Sequence, residues 1–426
     1  MGDHRTRGAR PLAVPSPAKR VVVLDALRGV CFVVMTIDHL QIHPFYRISN
    51  PNFGPLGFFT AALGFVFLSG LVAGQVYDRV RVVAGTRAVI DRVLRRARAL
   101  YITQMLMFAA VVAAIELRLP NTARWHLNLI SMTPWKGIGL SAALVYEPAY
   151  FGILPMYLLF LLFTPFILWQ FGKGNVLRIL AISALIWLVS ALLIRLPGNP
   201  GGFDFGAFNP IGYQFAFVAG LAFGTGKLSI GRIPCRLRRR LVAVSAFVVV
   251  LCLILRVDYA FRGPGTALVD DDRFGFSTMQ LGPFRLLNFA AFCFVTYSIC
   301  SKIRWEDVHS AAFRWLAFIG RHSLPVFAWS ILATYATVAL SSLRLSFAAG
   351  LIAMVLVPAS LTVPAQLRAM VSGRRRPAHR RSRRGIATAG RGSRIRPRAL
   401  DTRPIIAATA ELGGHDRLAA LTRNPS

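Results

Sequence analysis

Ten apolar runs of spanning length follow one another through the chain, at about 22–40, 57–76, 99–117, 149–171, 176–195, 209–225, 241–256, 282–300, 316–341 and 345–366. A helix that crosses a bilayer needs roughly 17–25 such residues. Within lipid, each segment must also satisfy its own backbone polar groups. The runs are continuous and do not alternate, which argues against strands. Composition agrees: 55% of residues are hydrophobic and only 16% are charged, well below the usual quarter. The expected fold class is all-α, a polytopic integral membrane bundle of about ten transmembrane helices. The sixth and seventh runs are short, and Pro325 interrupts the ninth.

Loop charge sets the orientation, because cytoplasmic loops collect Lys and Arg. Segments 1–20, 77–98, 172–178, 226–240 and 301–314 hold 23 basic residues, whereas 41–56, 118–148, 195–208, 256–281 and 342–344 hold 9. Both termini are therefore expected in the cytoplasm of a multi-pass protein of the inner (plasma) membrane. Residues 1–20 form a polar, basic N-terminus without the pattern of a cleaved signal peptide, and residues 21–368 form the membrane domain. Residues 369–426 form an Arg-rich tail with the composition of a disordered segment. Much of the net charge of +33 is local, since residues 368–423 contain 15 arginines. Anionic headgroups of the lipid bilayer suit such a tail, at roughly 1 kcal/mol per basic residue. No nucleic-acid-binding module accompanies the charge, so nucleic acid is not an expected partner. Five scattered cysteines lack CxxC spacing. No metal-ligand cluster or phosphate-binding motif stands out, and no tightly bound cofactor is expected.

The first run, VVVLDALRGVCFVVMTIDHL, carries Asp25, Arg28, Asp38 and His39. Charge within a membrane is costly and marks a candidate site. Arg28 and His39, eleven positions apart, fall within roughly 20° of one helix face, about 16 Å apart along the axis. Asp25 lies within about 40° of His39 on the same stripe. One rod thus carries a guanidinium near the cytoplasm and an imidazole at the outer end. A structural ion pair between Asp25 and Arg28 is the plainer alternative.

The second run contains Gly70-Leu-Val-Ala-Gly74, the small-residue spacing that lets membrane helices touch. The segment DRVLRRARALYI follows, and Arg95 and Arg98 share a face at the start of the third run. Guanidinium groups suit phosphates, so a cytoplasmic acyl-CoA donor would be steered there, although positive-inside topology alone also explains the charge.

These residues resemble a known family. Asp25-x-x-Arg28-Gly29 with a His at the far end of the span, Phe67-Leu68-Ser69-Gly70 and the arginine run together resemble the membrane acyltransferase 3 superfamily. Leu24-Asp25-x-x-Arg28-Gly29 followed by Ile37-Asp38-His39, with the later GILPMYLLFLLFTP and GRHSLPVFAWS, most resembles the OpgC proteins. The resemblance covers about 20–368. It implies an O-acyltransferase that passes an acyl group, succinyl in that family, from a cytoplasmic CoA thioester to hydroxyls of a periplasmic glucan. It also implies His39 as the catalytic position. Two departures from the wider superfamily favour the glucan-modifying branch. Ten residues after Gly320 stands Ser330 and not a second His, and a Trp-Ser-Leu…Glu pattern is replaced by Glu147-Pro148-Ala149-Tyr150.

The same chemistry can be reached from the side chains. Acylating a sugar hydroxyl needs a base, and histidine serves near neutral pH. Asp38 points about 100° away from His39 and so suits an indirect or substrate-binding role. Glu147 is the favoured acid to orient the imidazole, with Asp258 in the fifth outer loop region as a second candidate. Arg285, just inside the eighth run, could bind a sugar or carboxylate, and Arg321 could meet CoA phosphates beside Arg28. A transporter or flippase of a sugar or lipid-linked precursor, and a non-enzymatic envelope partner, remain as alternatives. A transporter would also want polar residues along one helix face, but the single interruption at Pro325 has no counterpart in the first half. An envelope scaffold needs neither the cytoplasmic arginines nor the outer histidine.

Overall fold

A computed structural model describes residues 22–40, 57–120, 133–145, 148–193, 208–262, 281–303, 305, 308, 310–340 and 345–374. Among them there are helices and no strands. In order they are α1 (Val22–His39), α2 (Ala61–Glu116), α3 (Pro134–Ala142), α4 (Ile153–Gly172), α5 (Val176–Leu193) and α6 (Pro210–Gly224), then α7 (Cys235–Arg262), α8 (Pro283–Cys300), α9 (Ala311–Arg321), α10 (Ser323–Ala339), α11 (Phe347–Ser360) and α12 (Thr362–Arg374). By length and composition α2, α4, α7, α8 and the α11–α12 stretch can each cross a membrane, and the bent α9–α10 pair makes a sixth. Helices α5 and α6 are apolar but shorter, and α1 carries Asp25, Arg28 and Asp38.

The surface differs from that of a water-soluble domain. Leu106, Val244, Phe247, Ile254 and Val355 are exposed, while Asp25, Arg28, Asp38, Arg256 and Arg285 are buried within an otherwise apolar core. An apolar outer face around a core that holds charged side chains fits lipid as the surrounding solvent.

Two expectations need correction. Residues 77–98, read as a loop, are helical, so the second and third runs belong to one 56-residue element. Its residues lack proline, and its axis breaks at Gly85, whose φ of 78° and ψ of 173° leave the helical region. Glycine reaches that conformation without a Cβ penalty. The ninth run does not break at Pro325. It bends by 94° between Arg321 and Ser323, and Pro325 sits in the first turn of α10, where its missing N–H has no intrahelical partner to lose.

One close helix crossing joins the first limb of α2 to α6. A Cβ on Gly70 would run into the Phe217 carbonyl, and one on Gly74 into the Leu221 carbonyl. Reciprocally, Gly220 faces the Phe67 carbonyl and Gly224 the Leu71 carbonyl. Both helices thus contribute a GxxxG face. In lipid, where apolar burial between helices gains little, such close approach supplies the packing energy. At the end of α4, Lys227 donates to the Phe171 carbonyl and Arg81 reaches Gly172. Both complement the negative C-terminal end of α4.

Gly220→Leu is expected to cost more than about 3 kcal/mol, the upper end of ordinary overpacking, because the obstructing atoms are backbone. Gly139→Ala, in open space, should be neutral. Thermal unfolding of the detergent-solubilised chain compares them.

Candidate functional site

Parallel helices α1 and α10 frame the site. Arg28 is buried, and its Nη2 donates to Ser323 Oγ at 3.0 Å. Its guanidinium lies 5.5 Å from the centre of the Phe65 ring. Its Nε is buried without a hydrogen-bond partner among the described residues. Two glycines allow this approach. A Cβ on Gly29 would overlap the Leu316 carbonyl, and one on Gly320 the Asp25 carbonyl. The backbones of α1 and α9 therefore touch, and the α9–α10 bend delivers Ser323 to Arg28.

A narrow pocket opens beside this contact, lined by Arg28, Phe65, Arg96, Tyr157, Ser323 and Phe327. Its free space of about 20 Å³ suits one water-sized group. Arg96, Tyr157 and Asp25 all lie within electrostatic reach of Arg28. Two guanidinium groups, a phenol and a hydroxyl make a donor-rich lining suited to an anionic or carbonyl oxygen.

At the other end of α1, His39 is half-buried. Its ring centre lies 4.6 Å from that of Tyr150, with the planes inclined at 64°. The Met35 backbone lies within electrostatic reach of the imidazole. Tyr150 in turn meets Tyr335 edge to face at 6.4 Å. Ser323 and Tyr335 are twelve positions apart on α10, close to the spacing of Arg28 and His39 on α1. The two helices therefore stay in register from one cluster to the other. Between them Phe32, Phe65 and Phe327 close the interior, with centroids 5.1, 6.5 and 6.2 Å apart.

The other residues singled out in the sequence are scattered. Asp38 is buried beside His39. Glu147 lies outside the described residues. Asp258, read as a loop acid, is helical and pairs with Arg262 at 2.6 Å, because α7 runs a turn and more beyond its apolar core. Arg95 and Arg98 are exposed, and the half-buried Arg96 between them faces the pocket. Arg321 is exposed at the end of α9. Arg285 donates to the Phe58 carbonyl, next to Asn288, whose Oδ1 accepts from Phe58 N at 3.0 Å. Arg256 lies over the Phe58 ring at 5.6 Å. That trio grips the segment leading into α2. Sequence reasoning misses Arg96, Tyr157, Ser323, Tyr150 and Tyr335. For Arg96 a signal exists, since the buried stripe Val89, Val93, Ala97, Leu100 and Gln104 brings it inward.

The OpgC protein family model matches residues 20–373, nearly the whole described region. The chain belongs to the OpgC family. No curated protein and no solved structure matches it. Membership suggests an acyltransferase-type function, and the apolar helices fit a multi-pass membrane protein. In this OpgC-family chain the matched region contains the Arg28 pocket, the His39 cluster and the helices that join them.

Ser323→Ala leaves Arg28 buried with one partner fewer. A hydrogen bond to a charged group is worth about 1.5–3 kcal/mol, and a loss of that size is expected in denaturant unfolding of the detergent-solubilised protein.

Proposed function

We propose that the chain is a membrane O-acyltransferase that takes an acyl group, succinyl by family resemblance, from a cytoplasmic acyl-CoA. It delivers that group to hydroxyls of a periplasmic glucan or similar envelope polysaccharide. The observation that carries the reading is the pairing of ends on α1 and α10: a cationic pocket at Arg28 and an imidazole at His39, about 16 Å apart along one helix. The proposal includes ten spans, counting each limb of α2 and α1, α5 and α6 as spans. It also includes cytoplasmic termini, an inner-membrane location and a place in the acyltransferase 3 superfamily.

Arg28 and Arg96 hold the donor end, where charge-assisted bonds stabilise phosphate, carboxylate or thioester oxygen. Exposed Arg95, Arg98 and Arg321 add a long-range field that attracts an anionic donor to the cytoplasmic mouth. At the outer mouth His39 takes the proton of the attacking sugar hydroxyl. With the donor's pantetheine arm reaching past the rings so that the thioester lies beside His39, the hydroxyl oxygen bonds to the acyl carbon and the thioester C–S bond breaks. The sulfur takes the proton from the imidazolium, so that CoA leaves as the thiol. Asp38, next to His39, and Glu147, three positions before Tyr150 in sequence, are the acids proposed to steer the acceptor or support the imidazolium. The Phe32, Phe65 and Phe327 rings must part for the acyl group to pass.

His39→Ala should lower transfer by about 10²–10⁴-fold, the usual contribution of general base catalysis, with membrane insertion unchanged. Mass spectrometry of periplasmic glucans reads the acyl mass difference, and retained product removes His39 from the base role. Arg28→Gln and Arg96→Gln should raise the KM for succinyl-CoA by roughly tenfold or more, as expected for a lost charge-assisted bond, while Arg98→Gln stays within about twofold. Equal effects on donor and acceptor would count against the donor assignment. The broken α9–α10 helix is a feature shared with transporters. Sugar movement without release of CoA thiol by the purified protein would favour that second reading.

A further inference from the structure

The segment in front of α4 is an unusual neighbour for His39. Tyr150 has φ of 70°, a left-handed conformation that a bulky aromatic residue rarely adopts. Such conformations persist when surrounding contacts over-determine them, and they gather at functional sites. Two kinds of contact do so here. The Tyr335 hydroxyl donates to the Ala149 carbonyl at 2.6 Å across 186 residues of sequence. The Tyr335 ring also packs edge to face on both Tyr150 at 6.4 Å and Phe151 at 5.7 Å. Phe151 is fully buried and Tyr335 nearly so. α10 thereby pins residues 149–151 from two sides, and the pinned Tyr150 ring rests on the His39 imidazole at 4.6 Å.

The Tyr150 ring restricts rotation of the imidazole on the side it covers. We propose that Tyr150 is a positioning residue for His39, held against the imidazole by the Tyr335 hydroxyl, so that the unprotonated nitrogen is aimed at the acceptor. This inference rests on the reading of His39 as the base, but the contact itself has consequences that do not. Reacting atoms must be held near attack geometry for catalysis, and a freely rotating imidazole at a membrane surface spends little time aimed correctly. The hydroxyl of Tyr150 takes no part in this role; the ring does. Tyr335 acts one step further out, through the loop backbone.

Two readouts on the detergent-solubilised full chain test the inference. One is the steady-state rate with succinyl-CoA and a β-glucan oligosaccharide. The other is the rate of His39 carbethoxylation by diethyl pyrocarbonate, followed by peptide mass spectrometry with His322 as internal reference. Tyr150→Leu and Tyr150→Gly should lower kcat by 10- to 100-fold with the donor KM within twofold, and should raise His39 carbethoxylation at least fivefold. Tyr150→Phe, which keeps the ring, should restore both values to within threefold of the parent. Tyr335→Phe removes one hydroxyl and should show a smaller fall of the same kind, so it carries the test if the Tyr150 variants do not fold. Unchanged labelling and unchanged kcat in Tyr150→Leu overturn the inference. A raised KM with unchanged labelling also overturns it, since Tyr150 would then be a substrate contact. Faster labelling with full activity keeps the contact but removes His39 from the base role, which separates failure of that reading from failure of this one.

Discussion

The contact on which the rest depends is the meeting of two backbones where α1 crosses α9. Gly29 and Gly320 leave no room for a methyl group on either side, so the helices approach as closely as main chains permit. Lipid supplies little drive for apolar surfaces to find each other, and van der Waals contact between backbones takes its place. That crossing settles where α10 begins. It brings Ser323 within hydrogen-bond reach of Arg28, and the common register of α1 and α10 carries the relationship outward to His39 and Tyr335. A guanidinium is tolerated there because a hydroxyl and an aromatic face receive it. The second crossing, between the glycine faces of α2 and α6, serves the same end by seating Phe65 over the cation.

The outcome is a site shared by distant parts of the chain, with helix α1 as its spine. Arg28 and Arg96 meet from α1 and the second limb of α2, Tyr157 comes from α4, and Ser323 from the start of α10. At the His39 end the participants are α1, the residues before α4, and α10 again. A chain of the OpgC family thus concentrates polar groups on a few helices and leaves α5, α7 and α11 largely to face lipid. The buried arginines of α7 and α8 serve the scaffold instead. They tie down Phe58 just before α2.

Much of this is legible in the residues. Long apolar runs dictate helices, because no other open structure satisfies the backbone in lipid, and eleven-residue spacing alone puts Arg28 and His39 on one stripe. The Gly70–Gly74 pair announces a close crossing, though its partner Gly220–Gly224 is hard to single out in an otherwise uniform run. What stays hidden has common physical causes. The helix on either side of Gly85 within 77–98 is masked by charge, which marks topology but does not break helices. The choice of Arg96 over its neighbours depends on which stripe of α2 faces α1 and α4, a tertiary fact. Tyr150 and Tyr335 are 185 positions apart, and an aromatic residue with left-handed φ leaves no trace in composition.

The three phenyl rings midway along α1 have a consequence of their own. A bundle that carries polar clusters at both ends of one helix runs the risk of becoming a leak for protons and ions. Phe32, Phe65 and Phe327 are all buried and mutually packed, and an apolar constriction of that kind sheds water and blocks conduction. While the rings touch, hydrocarbon closes the path along α1 between Arg28 and His39 to hydrated ions.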